Sequence, residues 1–593
     1  MSNNLEFQCP TCRKKLNNMI ECNVCSKNYI NNLGFIDFID SSGKQKNEKR
    51  FSQLLTRIQE ENYSKAVQEF IKKYPNLNYK FNKREGYIAF HAIHKNNKKC
   101  LILNSDLGNI PESLSNIVDE IYSVVDSHEK LLIQKFRMQE KNIKNVVLVK
   151  SDFKSLPFSN NFFDFIILNG MENSSEKQFS DLEMNNLLKE IQRVLKANGC
   201  FCAALSNKIR IGKMFNQTEG NSLEKYTNNF FGYRSILHKT GFKIKTYWTL
   251  PSYKTPHFSG YIEDGDSLKW LFQNSHIFSG TNEKNLLTKI FKKMNSSSSK
   301  ILMKLFCPSF LFYCYNDKKI EDLESMIEQK MGFKKIIQLV RPQKIIYILL
   351  DKFGKPKKKV FFNFTKYNLD EKILIKNEYE YKKSLNSILI EDWSEGRPLD
   401  PSNKQDILLL LDWLKKFQKD KVSGVWNINE IKEEINEIKN YFYNKKEMSE
   451  FPIKKWCDEY LNYIQNIELA KTRVHGNLHP NHVIINTNNS SVKVIDWDDF
   501  TESGNPIFDY MRLIVAIMLW SPNPLEEFKS NLDGVGKSNE ITNIIKLKMN
   551  QYLKKEINLE IMLKYFILNW IVNKAKKEFE IDVFYVKLLR MFL

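Results

Sequence analysis

The sequence predicts a multidomain chain that joins an α/β domain to a second domain of mixed α+β class and to a small cysteine-rich unit. Its 593 residues are too many for one hydrophobic core, since a domain usually holds about 100 to 200 residues. The composition, with 42% hydrophobic and 13% aromatic residues, is typical of folded domains. Two local patterns divide the chain: paired CxxC turns near its start, and an alternation of apolar β runs with helical faces further on.

The net charge of +21 does not identify a partner by itself. It would favour nucleic acid or another anionic surface if the basic residues were clustered, but most of them are scattered. The first 20 residues are polar, and no apolar run reaches the roughly 20 residues needed to span a bilayer. We therefore expect a cytoplasmic protein without a membrane span, for which nucleic acid is the less favoured partner.

The first 40 residues contain the spacing of a zinc site. Two CxxC pairs are separated by nine residues, and the four thiolates of such pairs suit one tetrahedral Zn²⁺ with no open position for water. The expected ligands are Cys9, Cys12, Cys22 and Cys25. The sequence from Cys25 to Phe38, with its Tyr, Gly and apolar-Asp-Phe order, resembles the small zinc ribbon found ahead of several methyltransferases. We expect a zinc ribbon over residues 1–40 and a linker with helices over 41–95.

Residues 96–260 alternate between β-type runs and a helical face, which predicts a parallel, Rossmann-like sheet. The expected strands are Cys100 to Leu103, Ile121 to Val125, Val146 to Val149, Phe163 to Leu168 and Cys200 to Leu205. In such a sheet a ligand binds at the carboxyl ends of the strands. Asp126 ends the second strand, where a carboxylate commonly holds ribose hydroxyls, and Asp152 with Phe153 follows the third, where they are placed to hold and stack on an adenine.

The same region resembles class I S-adenosylmethionine-dependent methyltransferases. The resemblance is carried by the stretch from Ser151 to Ile167, with its acid, Leu-Pro-Phe and Phe-Asp pattern, and by the stretch from Lys189 to Gly199. It implies S-adenosylmethionine as the cofactor. The implied cofactor-binding residues are Asn104, Asp106, Gly108, Asp126, Asp152 and Phe153. The family usually has three glycines in the first loop, and here Asp106 and Ile110 replace two of them, so that only Gly108 is retained.

Residues 330–593 carry a second set of motifs, after a linker or helical insertion expected over 261–329. The motifs are His475-Gly-Asn-Leu-His-Pro480, Val492-Lys-Val-Ile-Asp-Trp497 and Gly504-Asn-Pro-Ile-Phe-Asp509. Their order resembles the aminoglycoside phosphotransferase and choline kinase-like family. That resemblance implies a protein-kinase-like fold for this C-terminal domain.

Phosphoryl transfer in that family requires residues that this chain only partly retains. Asp496 stands at the magnesium-ligand position. If ATP binds, its carboxylate would hold Mg²⁺ on the nucleotide phosphates. The position of the catalytic aspartate is Asn477, whose neutral amide cannot act as a general base. His482 replaces the second metal ligand, and Asn363 replaces the lysine that meets the nucleotide, unless a shifted alignment brings in Lys366.

These patterns favour an S-adenosylmethionine-dependent methyltransferase that acts on a small molecule, sugar or glycan precursor, with a kinase-fold domain that has lost phosphotransfer. The phosphotransferase family acts largely on hydroxylated small molecules, and this is the reason for that substrate class. Two alternatives stay open. The zinc ribbon and the positive charge favour an RNA methyltransferase, and the replacements at Asp106, Ile110, Asn363 and Asn477 favour a non-catalytic scaffold.

Overall fold

A computed structural model gives the fold in two compact units. Residues 1–375 and 386–393 form the first unit, and residues 376–385 and 394–593 form the second. The structure describes residues 7–17, 20–29, 34–39, 49–81, 84–89, 99–153, 155–170, 180–209, 227–273, 295–316, 323–341, 344–363, 374–375, 388–420, 422–443, 448–465, 467, 469–486, 490–578 and 583–593.

The first unit begins with a ribbon of short strands. β1 (Glu21–Cys22) pairs antiparallel with β2 (Lys27–Asn28). β3 (Ile36–Asp37) then pairs parallel with β6 (Val146–Lys150) and so forms one edge of a large sheet. The ribbon is therefore hydrogen-bonded to that sheet.

Two helices follow the ribbon, within the segment expected to be a linker with helices. They are α1 (Lys49–Glu60) and α2 (Tyr63–Lys73), and Asn62 caps α2 by accepting a hydrogen bond from the backbone N–H of Lys65. Both helices are amphipathic, and their apolar faces form a small core with the side chains of the adjoining domain. Two 3-10 helices, Pro75–Lys80 and Arg84–Ala89, lead to the main sheet.

Five parallel strands form the centre of the first unit, as the β/α alternation predicted. Besides β6 they are β4 (Lys99–Leu103), β5 (Glu120–Val125), β7 (Phe163–Asn169) and β8 (Leu195–Ser206), in the order β6, β5, β4, β7, β8. The helices that follow them are α3 (Asn109–Leu114), α4 (His128–Glu140), α5 (Asp181–Val194) and α6 (Phe230–Lys239). Alternate strand residues pack on opposite faces, so that Leu101 joins the core with α5 and Ile102 joins the core with α3.

The sheet continues beyond β8 with antiparallel strands. In spatial order these are β11 (Ser309–Tyr315), β9 (Lys243–Leu250), β10 (Phe258–Tyr261), β12 (Lys335–Arg341), β13 (Lys344–Leu350), β14 (Pro356–Asn363), β16 (Ile388–Asp392) and β15 (Leu374–Ile375), of which only β15 is parallel to its neighbour. The described residues of this part of the unit also form α7 (Gly265–Gln273), α8 (Ser296–Phe306) and α9 (Leu323–Met331).

This continuation differs from the expected division of the chain. The segment 261–329, expected to be a linker or helical insertion, supplies β11 between β8 and β9. The segment after 330, expected to begin a separate domain, supplies β12 to β16 to the same 14-stranded sheet. The physical reason is that the free edge of β10 pairs antiparallel with β12, so the hydrogen-bond ladder does not stop at the expected boundary.

The second unit is mainly helical and contains two three-stranded sheets. Their strands are β17 (Arg397–Pro398), β20 (Val483–Asn486) and β21 (Ser491–Val494) in one, and β18 (Val422–Val425), β19 (Ala470–Val474) and β22 (Thr501–Gly504) in the other. The helices are α10 (Lys404–Lys419), α11 (Ile428–Tyr443), α12 (Ile453–Ile464), α13 (Ile507–Met518), α14 (Pro524–Leu532), α15 (Asn539–Leu553), α16 (Leu559–Glu578) and α17 (Val583–Leu589). α13 is buried along almost its whole length. Within the described ranges, no helix is both long and apolar enough to cross a membrane.

Candidate functional site

The four N-terminal cysteines converge on one point. One ligand atom from each of Cys9, Cys12, Cys22 and Cys25 lies within 4.8 Å of all the others. The Sγ atoms of Cys9 and Cys25 are 3.9 Å apart, and those of Cys12 and Cys22 are 3.4 Å apart. Zinc–sulfur bonds of about 2.3 Å in a tetrahedron require separations of roughly 3.8 Å, so this set of donors fits a structural Zn²⁺.

The ribbon contacts the loop that follows β6. The backbone N–H of Gln8 donates to the Pro157 carbonyl at 3.1 Å, and Ser155 Oγ donates to the Pro10 carbonyl at 2.8 Å. Arg13 forms an ion pair with Glu190 at 2.9 Å. These contacts hold residues 155–158 immediately after the predicted adenine-binding pair Asp152 and Phe153.

The first loop after β4 has a backbone that alternates into the left-handed region. Asn104, Asp106 and Gly108 have φ values of 59°, 49° and 85°. Ile110, which the sequence analysis placed at a glycine position, lies inside α3 and is fully buried. The three positions whose conformation favours glycine are therefore 104, 106 and 108, two residues earlier than expected.

Asp106 is neutralised by two lysines that the sequence analysis did not identify. Lys130 Nζ lies 3.1 Å from its Oδ1, and Lys80 Nζ pairs with its Oδ2. Burial alone would raise the pKa of Asp106, but the two ammonium charges outweigh that effect and hold this pKa well below its usual range. No sequence spacing could have indicated these lysines, because tertiary packing of the 3-10 helix Pro75–Lys80 and of α4 brings them together.

Further hydrogen bonds hold the first loop in place. Gln134 Nε2 donates to the Asp106 carbonyl at 2.6 Å and to Ser105 Oγ at 3.0 Å. The buried Arg137 donates to the Leu107 carbonyl at 3.2 Å and pairs with Glu112 at 2.6 Å. The conformation of this loop is thus fixed by side chains of α3 and α4.

The three other predicted cofactor residues lie at the same edge of the sheet. Asp126 follows β5, and Asp152 and Phe153 follow β6, so the parallel strands bring them to the side where Asn104 follows β4. Asp152 is exposed. Phe153 is only 5% exposed and packs in the apolar core, so stacking on an adenine would require its ring to turn outward.

The end of β7 contains a buried polar atom that accepts no hydrogen bond from the described residues. Asn104 Nδ2 donates to the Asn169 carbonyl at 2.9 Å, which ties the first loop to β7. Asn169 Oδ1 is buried and accepts no hydrogen bond within the described part of the chain. A Cβ atom at Gly170 would lie 2.2 Å from Tyr253 Oη, so only glycine allows this approach. An unsatisfied acceptor at this edge fits a polar cofactor such as S-adenosylmethionine.

In the second unit, the His-Gly motif is held by a buried aspartate. The backbone N–H groups of His475 and Gly476 donate to the two carboxylate oxygens of Asp509 at 2.8 and 2.9 Å. Burial raises the pKa of Asp509 to about 7, although these two hydrogen bonds act in the opposite direction. His475 Nε2 also contacts the Ile495 carbonyl at 3.1 Å. These contacts fix the backbone of the His-Gly motif.

The next residues of this motif region make contacts with other side chains of the second unit. Asn477 Oδ1 accepts a hydrogen bond from Arg512 Nε at 2.9 Å. His482, at the second metal-ligand position, has its Nε2 3.2 Å from Asp496 Oδ2. Asn481, one place earlier, is exposed. Asn363 ends β14, and Lys366 lies outside the described residues.

A cavity of about 400 Å³ adjoins the His-Gly motif at Gly476. Four aromatic residues and two carboxylates are among its lining residues: Trp426, Phe508, Phe566, Trp570, Glu434 and Asp499. Its size lies within the range of small-molecule sites, about 300 to 1,000 Å³. The motifs of the second unit thus border a chamber suited to a small organic ligand.

Two protein-family models match this chain, one in the first unit and one in the second. Residues 107–203 match a family described as a methyltransferase domain, and residues 432–534 match the phosphotransferase enzyme family. A search of curated proteins found no match to this chain.

Solved structures with a similar fold include several methyltransferases. The match to the YcgJ protein of Bacillus subtilis covers 40% of this chain and 99% of that one, at 16% identity and a TM-score of 0.26. A SAM-dependent methyltransferase from Aquifex aeolicus matches over 28% of this chain and 84% of its own, at 16% identity and a TM-score of 0.23. Phosphoethanolamine N-methyltransferase 2 of Haemonchus contortus, solved with S-adenosyl-L-methionine, matches over 39% and 51%, at 16% identity and a TM-score of 0.25.

Proposed function

We propose that this chain, which joins a methyltransferase domain to a phosphotransferase-family domain, is an enzyme that methylates a small molecule, sugar or glycan precursor with S-adenosylmethionine. The observation that carries the proposal is the single sheet edge at which Asn104, Asp126 and Asp152 follow three neighbouring parallel strands. In such sheets, ligands bind outside the carboxyl ends of the strands.

The proposed cofactor-binding residues follow different strands, and each would bind a different part of S-adenosylmethionine. Asp126 would bind the ribose hydroxyls and Asp152 the adenine amino group, while the first loop, with Asp106 and Gly108, would face the methionine end. Bound S-adenosylmethionine would supply an electrophilic methyl group. The chain's own part is to orient donor and acceptor, which can supply much of the acceleration of such a transfer.

The proposal also includes the loss of phosphotransfer in the second unit. Asn477 cannot take the proton of an attacking hydroxyl, and Arg512 already engages its amide oxygen. The contact between His482 and Asp496 replaces a pair of metal ligands. The cavity beside Gly476, which is lined by aromatic and charged side chains, supports a retained role in binding a small molecule. We place the chain in the cytoplasm, where the four cysteines proposed to bind zinc would stay reduced.

Isothermal titration of the full zinc-loaded chain with S-adenosylmethionine tests the methyltransferase proposal. We expect saturable one-to-one binding that Asp126→Ala weakens about tenfold or more, because a charge-assisted hydrogen bond contributes about 1.5 to 3 kcal/mol. Asp119→Ala is the matched control, since this exposed aspartate precedes the opposite end of the same strand. Absence of binding at millimolar ligand would refute the proposal.

The loss of phosphotransfer has its own assay on the same preparation. With Mg-ATP and hydroxylated small molecules, we expect no ADP above the level found without protein. Acceptor-dependent release of ADP would show that the second unit is an active kinase and would contradict this part of the proposal.

A further inference from the structure

Three basic residues, Arg84, His257 and Arg341, lie close together in the first unit. None of them belongs to a motif of the sequence analysis. Arg84 Nη1 lies 2.8 Å from His257 Nε2. The backbone N–H of Val340 donates to the His257 carbonyl at 2.9 Å, which brings the next residue, Arg341, beside the same histidine. The cluster thus joins the 3-10 helix Arg84–Ala89, the loop before β10 and the end of β12.

The charges in this cluster repel one another. Desolvation of the ring and the positive charges of Arg84 and Arg341 together hold the pKa of His257 below its usual range. Burial and the charge of Arg341 likewise lower the pKa of Arg84. A neutral imidazole accepts the hydrogen bond from Arg84 at Nε2 and carries its proton at Nδ1, so all three side chains can present N–H donors.

The cluster lies at the same edge of the sheet as the proposed cofactor residues. β9 runs in the same direction as β8, because both are antiparallel to β11, and β12 runs in that direction too, because both it and β9 are antiparallel to β10. Their carboxyl ends, at Leu250 and Arg341, therefore lie at the edge where β4 to β7 end. The loop after β9 also reaches β7, since Tyr253 Oη lies against Gly170.

Consecutive residues of one short helix connect this cluster to the first loop. Arg84 contacts His257, and its neighbour Glu85 accepts a hydrogen bond from Asn109 Nδ2 at 3.1 Å. Asn109 directly follows Gly108. The neighbouring residues Arg84 and Glu85 thus contact the basic cluster and the end of the first loop, respectively. The cluster is open to solvent, since Arg84 and Arg341 are partly exposed and His257 is exposed.

We propose that Arg84, His257 and Arg341 bind an anionic group, a phosphate or a carboxylate, on the small molecule that receives the methyl group. This inference rests on the proposed function and assigns a substrate class to the same sheet edge. Guanidinium groups bind two oxygens of such an anion at once, and the bound negative charge would relieve the repulsion within the cluster. Three basic groups this close together suit a single anion, whereas a nucleic-acid backbone requires basic residues spread over several phosphates.

Titration of the full zinc-loaded chain with inorganic phosphate tests this proposal, at an ionic strength held constant with chloride. We expect saturable binding that Arg84→Gln and Arg341→Gln each weaken about tenfold or more. Arg84→Lys keeps the charge but loses the planar fork and should fall between wild type and Arg84→Gln. The control is Arg50→Gln, an exposed arginine of α1 that should leave the affinity unchanged.

A parallel titration with S-adenosylmethionine separates this proposal from the proposed function. We expect wild type and all four variants to bind the cofactor alike, which also verifies their folding. Cofactor binding without saturable binding of phosphate or acetate would overturn the anion site alone. Saturable binding of either anion supports the site, and the tighter of the two identifies the charged group. Binding only of an oligoribonucleotide, lost in Arg84→Gln, would overturn the small-molecule proposal.

Discussion

Glu85 is a carboxyl group buried between the first loop and the basic cluster. It is 5% exposed, and burial raises its pKa to about 7, with the nearby charge of Asp106 acting in the same direction. The hydrogen bond from Asn109 and the charges of Lys80 and Lys254 only partly oppose this. The folded protein therefore holds a proton at Glu85 that the unfolded chain releases near pH 4.3.

This raised pKa predicts a loss of stability as the pH rises. The stabilisation from the protonated carboxyl is complete below the unfolded pKa of about 4.3 and is lost as the pH passes through about 7. Glu85→Gln removes this pH dependence. Its free energy of unfolding, relative to that of wild type, should therefore rise by on the order of 3 kcal/mol between about pH 4 and pH 8. Chemical unfolding across this pH range is the measurement.

The control for this experiment is Glu60→Gln, which replaces an exposed glutamate at the end of α1. Its unfolding free energy should follow that of wild type at every pH. If the Glu85→Gln curve also runs parallel to wild type, Glu85 is ionised in the folded protein throughout, and the explanation by burial is wrong.

For single residues, the sequence could predict which ones follow a strand but not which distant side chains contact them. The positions of Asp126 and Asp152 were predictable, because residues that directly follow neighbouring parallel strands lie at the same edge of the sheet. Lys80 and Lys130 lie 26 and 24 residues from Asp106 along the chain and meet it only through tertiary packing. The hydrogen bond from Arg512 to Asn477 could not be predicted from the sequence for the same reason.

Among the elements, the ribbon is the one that we expect to depend on a metal. Its strands contain only two residues each, so it has little backbone structure of its own, and the four thiolates converge where a Zn²⁺ would hold them together. Cys22→Ser removes a buried ligand. We expect wild type to carry about one zinc per chain and the variant to lose it and to unfold at a lower temperature.

Metal analysis by mass spectrometry, with thermal unfolding of the same samples, checks this prediction. Cys457→Ser is the matched control, because this buried cysteine belongs to the second unit and is not one of the four clustered cysteines, so it should leave the zinc content unchanged. Because the ribbon holds residues 155–158 after Asp152, we also expect Cys22→Ser to weaken S-adenosylmethionine binding. Full zinc content in Cys22→Ser would show that the four cysteines are not the ligand set.

For the elements, periodicity located the five parallel strands and the helix α5 to within a few residues. It did not reveal how β-type runs far apart in sequence pair with one another. β11 comes from a segment whose composition resembled a linker, yet its seven residues pair on both sides, with β8 and β9. Such pairing depends on a free strand edge and matching register, neither of which a local pattern contains.

For the whole molecule, the sheet determines where the chain can be divided. The first unit extends to Trp393 and includes β12 to β16, although the phosphotransferase-like motifs suggested a boundary at 330. A fragment ending at residue 329 would lack five strands and would expose the edge of β10, including backbone groups that pair with β12 in the full chain. Exposed sheet edges promote aggregation.

Truncation therefore distinguishes the structural boundary from the one expected from the sequence. We expect the fragment 1–393 to fold cooperatively, to remain monomeric and to bind S-adenosylmethionine with an affinity close to that of the full chain. We expect the fragment 1–329 to aggregate or to unfold at a clearly lower temperature, because Ile337, Ile348 and other buried residues of β12 and β13 would be missing from its core. Size-exclusion chromatography and thermal unfolding of both fragments provide the comparison. If the shorter fragment proved as stable as the longer one, the strands from 335 to 392 would be only an appendage to the methyltransferase fold, and its edge at β10 would be stable without them.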